Sequence, residues 1–171
     1  QNLPSRRLHL DVIVPGAAGI DRGHDGAEGE RAVGAGRAIQ LERFGRFAGH
    51  MAAADGLVIV VPEYNHGYPG LLKHALDTNL KEYIHKAVGV CGVSAGGFGG
   101  VRMIQNLLPV LRELGLVTIF WDANFSGAQN LFDETGKLLD EATQVKRLDK
   151  FLGELIWMSK VLRYGRESVP I

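Results

Sequence analysis

The chain has 171 residues, 46% hydrophobic and 22% charged, with 19 Lys plus Arg against 19 Asp plus Glu. This is one domain's length with an ordinary composition. The charges balance in each half as well as overall, so a nucleic-acid or anionic-membrane surface built on clustered positive charge is excluded. Glycine is the outlier at 23 residues, and no every-third-residue period makes it collagen.

In chain order, Leu8–Val14 is a partly alternating strand. Residues 16–36, rich in Gly, Ala and Arg, read as loop, since glycine inside a helix costs about 1 kcal/mol relative to alanine. Ile39, Phe44, Phe47 and Met51 form the first helical stripe. Leu57–Val61 and Ala87–Val93 are continuous apolar runs, the habit of parallel strands buried on both faces. Between them Leu72, Leu76, Leu80 and Tyr83 mark a helix opening at Pro69, whose fixed φ suits a first helical position. Val101, Ile104, Leu108, Leu111 and Leu114 form a third stripe, with Gly115 as its cap and Pro109 expected to kink or shorten it. Val117–Trp121 is the fourth strand. A long last helix carries Val145, Leu148, Leu152, Leu155 and Leu162, with Asp140 as N-cap. Strands alternating with helices predict an α/β doubly wound parallel sheet, a three-layer α/β/α domain over 1–171 in which 1–50 is atypical.

In such sheets ligands bind beyond the carboxyl ends of the strands. Two loops there stand out, Pro62-Glu63-Tyr64-Asn65-His66-Gly67-Tyr68-Pro69-Gly70 and Ser94-Ala95-Gly96-Gly97-Phe98-Gly99-Gly100. Both lead from a strand into a helix, and both combine small residues with aromatic or polar ones. Glycines let a backbone approach a ligand, and N–H groups at a helix start favour oxygen acceptors. Together the loops suit a planar, oxygen-rich ligand.

Other chemistries leave weaker marks. Gly92-Val93-Ser94-Ala95-Gly96 matches the nucleophile elbow G-x-S-x-G, but all six histidines precede Ser94, whereas that fold needs its His afterwards. Glu63 with His66, or His74 with Asp77, supplies two metal ligands and no third, so no metal is expected. Cys91 lies inside an apolar run and reads as core. A lone cysteine forms no internal disulfide, which makes a reducing cytoplasm the expected compartment. The longest apolar run falls far short of the ~20 residues of a membrane span, and no signal peptide is readable.

The stretch Pro62–Asp77 resembles the signature of the NADPH-dependent FMN reductases, flavodoxin-like proteins that include quinone, azo-dye and chromate reductases. Met51–Gly56, the glycine loop and Phe132–Leu138 are similar too, so the resemblance covers about residues 44–167. It implies a five-stranded flavodoxin-like sheet and FMN as cofactor, with NADPH or NADH as hydride source. Pro62, Glu63, Tyr64, Asn65, His66 and Gly67 would wrap the isoalloxazine, and Ser94, Ala95, Gly96 and Gly97 would line its pyrimidine side. The acceptor would be a small molecule (a quinone, an azo compound or free flavin) and no side chain need act as acid, base or nucleophile. The 69–83 helix resembles the one that the family uses for dimerisation, implying a homodimer or homotetramer.

The family's opening strand and its Gly-Ser-x-Arg-like phosphate loop have no counterpart here. The spacing of Leu8–Val14 from Pro62 fits the family's second strand, which would leave it without a neighbour and expose an edge of Leu57–Val61. A chain lacking its first strand is the expectation, and weak or non-catalytic flavin binding is the alternative it raises. A Ser94 esterase is the remaining one.

Overall fold

A computed structural model describes residues 8–13 and 47–170. The expected 16–36 loop, with Ile39 and Phe44, lies outside them. The described chain runs β1 (Leu10–Ile13), α1 (47–53), β2 (Gly56–Pro62), α2 (Gly70–Asp77), β3 (Ala87–Val93), α3 (Val101–Glu113), β4 (Val117–Thr118), β5 (Ala123–Phe125) and α4 (Glu141–Ser168). All pairings are parallel, in the order β1-β2-β3-β4, with β5 also on β3.

The apolar runs alternate between two cores. Leu57, Ile59 and Val61 of β2 join Val88 and Val90 of β3 under α1, α2 and α3. Val58 and Val60 face the other way, with Ala87 and Cys91, against Phe151 and Leu155 of α4. Helices on both faces leave the central strands no solvent side, so their sequences do not alternate in polarity. The expected three-layer α/β/α fold is the one observed. Cys91 is buried at 4% exposure, and burial pushes its thiol up to about 11, as befits a core residue.

Four expectations need correction. β1 is not isolated: it pairs with β2 from Leu10↔Gly56 to Ile13↔Ile59, covering the edge expected to be bare. The fourth strand is split. Val117–Thr118 pairs with Ala87–Val88, the chain bulges outward at Phe120 and Trp121, and Ala123–Phe125 rejoins β3 at Cys91–Val93. The two bulged rings, 5.3 Å apart, cover each other instead of entering the core. The second helix ends at Asp77, and Pro69 is its N-cap rather than its first residue. Tyr83 still enters the core, carried by turns after the helix. Asp140 does precede α4, but with φ +52° and without a side-chain capping bond.

Pro109 sits inside α3 without shortening it. Gly115, with φ +76°, ends that helix as expected: its N–H bonds the Arg112 carbonyl, and the Leu116 N–H bonds that of Leu111. This is a Schellman motif, with Leu111 and Leu116 in its usual apolar contact.

The amino ends of the strands are tied by charge. Asp55, 2% exposed, accepts from Arg163 at 3.3 Å and Arg166 at 3.2 Å, both on α4. Its carboxylate also takes the His9 N–H at 3.1 Å, linking β1 to the same network. Buried Lys86 donates to the carbonyls of Met51 and Ala52, which end α1, where a cation complements the helix dipole.

Tyr83 is fully buried, and no hydrogen bond of good geometry satisfies its hydroxyl. Burial pushes its phenol from 10.0 up to about 12, with the Asn79 amide opposing. Below pH 10 the phenol is protonated whether folded or not, so its contribution to stability is complete. Between pH 10 and 12 only the unfolded chain releases the proton, so stability falls there, by about 2 kcal/mol from this group. Urea titrations at pH 8 and 11 should show Tyr83→Phe losing less stability than the wild type over that interval. Equal losses would place the alkaline sensitivity elsewhere.

Candidate functional site

Loops one (62–70) and two (94–100) follow neighbouring strands and meet at the carboxyl edge of the sheet. The Glu63 N–H bonds the Val93 carbonyl at 2.8 Å, which joins the loop roots. Tyr64 and Gly67 then exchange backbone bonds of 2.9 Å in both directions. Asn65 and His66 between them have φ of +50° and +65°, the signature of a type I′ turn. Asn suits that conformation; His66 is held in it at some cost.

The holding comes from α3. Asn106 donates to the His66 carbonyl at 2.7 Å, and Arg102 lies 3.0 Å from His66 Nε2. Arg102 also packs its guanidinium 4.5 Å from the centre of the Phe98 ring and pairs with Glu63 at 3.9 Å. Glu63 accepts the Met103 N–H at 3.4 Å, so a carboxylate from loop one takes part of the α3 N-terminus that the sequence reserved for a ligand. Neither metal-ligand pair survives. Arg102 stands beside both Glu63 and His66, and Asp77 is bonded by Lys73 at 2.6 Å. Among the described residues, no group of three His, Cys, Asp or Glu could hold a metal.

Loop two is sorted by polarity. The Ser94 carbonyl accepts from the Ala128 N–H at 3.0 Å, that of Ala95 from Gln129 at 3.3 Å, and that of Gly96 from the Gly127 N–H at 3.1 Å. The Gly99 carbonyl accepts from the Asn124 side chain at 3.1 Å. Ala95, Gly96 and Gly97 are exposed, and their N–H groups find no acceptor among the described residues. With the carbonyls of 94–96 taken up within the protein, these N–H groups remain available to an oxygen-rich or anionic edge. A Cβ at Gly96 or Gly97 would meet nothing, so packing is not the reason for glycine there. Gly92 and Gly100 differ: each Cβ would strike the other's backbone, at 3.1 and 2.8 Å. That approach folds loop two back over β3.

The Ser94 hydroxyl donates to the Gly96 carbonyl at 2.9 Å rather than to an imidazole. A hydrolase elbow would need that proton for its base, so the esterase reading loses its geometric support.

A third loop, residues 126–130 after β5, was missed. It supplies the donors that orient loop two, and Arg147 of α4 braces it by donating to the Asn124 carbonyl and packing 5.6 Å from the Phe125 ring. Ser-Gly-Ala-Gln-Asn after a strand was the available signal, a third loop at the same sheet edge. A groove of about 800 Å³ along the carboxyl half of α3 and β4, lined by Leu108, Pro109, Arg112 and Val117, lies away from these loops. Tyr64 on loop one and Phe98 on loop two, each 62% exposed, offer flat surfaces.

This arrangement could hold the ring of FMN: N–H donors at Ala95–Gly97 for its oxygen-bearing edge, an exposed aromatic ring on each loop and open space at Gly96 and Gly97. Residues 14–46, which follow β1 in the chain, lie outside the described ones. The model for NADPH-dependent FMN reductase matches residues 33–129, more than half the chain. An NAD(P)H-dependent FMN reductase of Pseudomonas aeruginosa is 31% identical over 121 residues, covering 68% of this chain and 65% of the relative. A quinone reductase of Escherichia coli K12 is 36% identical, covering 60% and 55%. The matches thus span less than two thirds of these relatives. The solved flavoenzyme FerB, an NAD(P)H:(acceptor) oxidoreductase of Paracoccus denitrificans, superposes with a TM-score of 0.66 over 90% of this chain and 98% of that one, at 19% identity, a likeness of fold. The family model spans both strand-end loops on a flavodoxin-like sheet, and the chain belongs to the NADPH-dependent FMN reductase family.

Proposed function

We propose that the chain is an NAD(P)H-dependent oxidoreductase with FMN as its resident group, passing electrons to a small acceptor such as a quinone, an azo compound or free flavin. The observation that carries this is the exposed stretch Ala95–Gly97, whose N–H groups have no acceptor among the described residues. When bound, FMN supplies the two-electron carrier between nicotinamide and acceptor. Pro62 to Gly67 would wrap one side of the ring, while the loop-two N–H groups meet negative charge that grows on its oxygen-bearing edge. Ser94, expected to offer a backbone contact, has its N–H bonded to the Phe125 carbonyl and its carbonyl bonded by the Ala128 N–H, so it would act through its hydroxyl, which donates to the Gly96 carbonyl. The relatives named as FMN and quinone reductases support the acceptor class.

Purified protein supplied with FMN should be yellow and should bleach on NADPH in the absence of oxygen. A protein that stays colourless after FMN addition and leaves NADPH unoxidised would end the proposal. The same reading takes a second copy as partner at the 69–83 segment, where Leu71 and Leu80 are 48% and 57% exposed. Sedimentation velocity showing only monomer would remove that part.

A further inference from the structure

We propose that Arg102 and Asn106 form a clamp that sets the tautomer of His66, making its Nδ1–H the single ring donor offered to the carbonyl oxygen of an acceptor. Three observations meet on this residue. His66 is a non-glycine residue at φ +65°, a conformation that persists only where its surroundings over-determine it, and such strain gathers at ligand-binding positions. Asn106 grips its backbone carbonyl at 2.7 Å, and Arg102 grips its ring at 3.0 Å. The two gripping side chains are four residues apart, so one face of α3 presents both.

The tautomer follows from donor counting. A guanidinium has N–H donors and no acceptor. The ring nitrogen facing Arg102 is Nε2, so Nε2 must carry the lone pair and the proton must be on Nδ1. Protonated imidazole has no lone pair for Arg102, so the clamp holds only the neutral ring. Arg102 is itself fixed, packed on Phe98 and paired with Glu63. His66 is exposed in loop one, and Arg102, which faces its ring, also packs on Phe98 of loop two. A neutral imidazole with its proton on Nδ1 can donate to an acceptor carbonyl and gains strength as that oxygen becomes negative. Arg102 is therefore a positioning residue, acting through His66. The acceptor half of this inference rests on the proposed reductase function; the tautomer half does not.

The test separates the two. Long-range ¹H–¹⁵N correlation spectra at pH 8 on the flavin-free protein, assigned with His66→Gln, should show wild-type His66 protonated on Nδ1. Arg102→Met should move the proton to Nε2, and Arg102→Lys, still donor-only, should retain the wild-type form. A wild-type Nε2–H form, or a tautomer indifferent to Arg102→Met, overturns the clamp whatever the flavin does. For the acceptor half, Arg102→Met and His66→Gln should each lower the ratio of 1,4-benzoquinone to ferricyanide turnover about tenfold, the loss of one hydrogen bond to a carbonyl that ferricyanide lacks. An unchanged ratio overturns that half and leaves the reductase reading standing. Absence of turnover with both acceptors in the wild type would sink the reductase reading and this half with it, while the spectra still decide the clamp.

Discussion

Replacing Asp55 with alanine should destabilise the protein by about 3 kcal/mol, because it removes the buried carboxylate that Arg163 and Arg166 of α4 share. Asp55 is 2% exposed, whereas the Arg163 and Arg166 side chains are 19% and 22% exposed. Their partial access to water keeps the cost at the lower end of the range for breaking a buried pair. The His9 N–H loses its acceptor as well. For a chain of this length the melting temperature should fall by roughly 6–12 °C. Urea denaturation of Asp55→Ala and of the same change in an Arg163→Met, Arg166→Met background checks the origin. The cost should shrink in the background, since the two cations that the carboxylate pairs with are gone. A loss below about 1 kcal/mol in the wild-type background would mean that water screens the network.

Two alanine substitutions in the glycine region should both weaken FMN binding but differ in their effect on stability. At Gly92 the new Cβ would lie 2.5 Å from the Gly99 carbonyl oxygen and 3.1 Å from the Gly100 Cα, both backbone atoms. Loop two must shift, with an overpacking cost of about 1–3 kcal/mol, and FMN affinity should fall with it. At Gly97 the Cβ meets nothing, so stability should stay within about 0.5 kcal/mol of wild type. The methyl group would nonetheless stand where the ligand meets the N–H row, and FMN affinity should fall about tenfold or more. Flavin fluorescence quenching together with urea midpoints measures both quantities. Gly97→Ala binding FMN like wild type would show that the ligand does not touch loop two there.

Much of the site was legible because it depends on local chemistry. β2 and β3 match their expected spans to within one residue, since strands covered on both faces must be continuously apolar. Both loops were placed correctly, because a strand ending in small residues before a helix has few other uses. The split fourth strand was not legible. Val-Thr-Ile-Phe-Trp has high strand propensity, and only the pairing shows that Phe120 and Trp121 leave the sheet. The partners of the site residues were also hidden. Nothing local links His66 to Arg102 or Ala95 to Gln129, because those contacts form only once α3 and the third loop stand at the same sheet edge. β1 was misjudged by counting residues to Pro62, a measure of chain length that carries no information on which strand is its neighbour.

Helix α4 touches both ends of the sheet. Arg163 and Arg166 hold Asp55 at one end, while Arg147 braces Asn124 and Phe125 at the other. Arg147 and Arg163 are about 24 Å apart along the helix axis, each at its own angle around it. Inserting or deleting one residue between them would turn one anchor by about 100° relative to the other. Both could not then be engaged without unwinding. The helix behaves as a spacer cut to length, so this stretch should accept many substitutions yet no change in residue number.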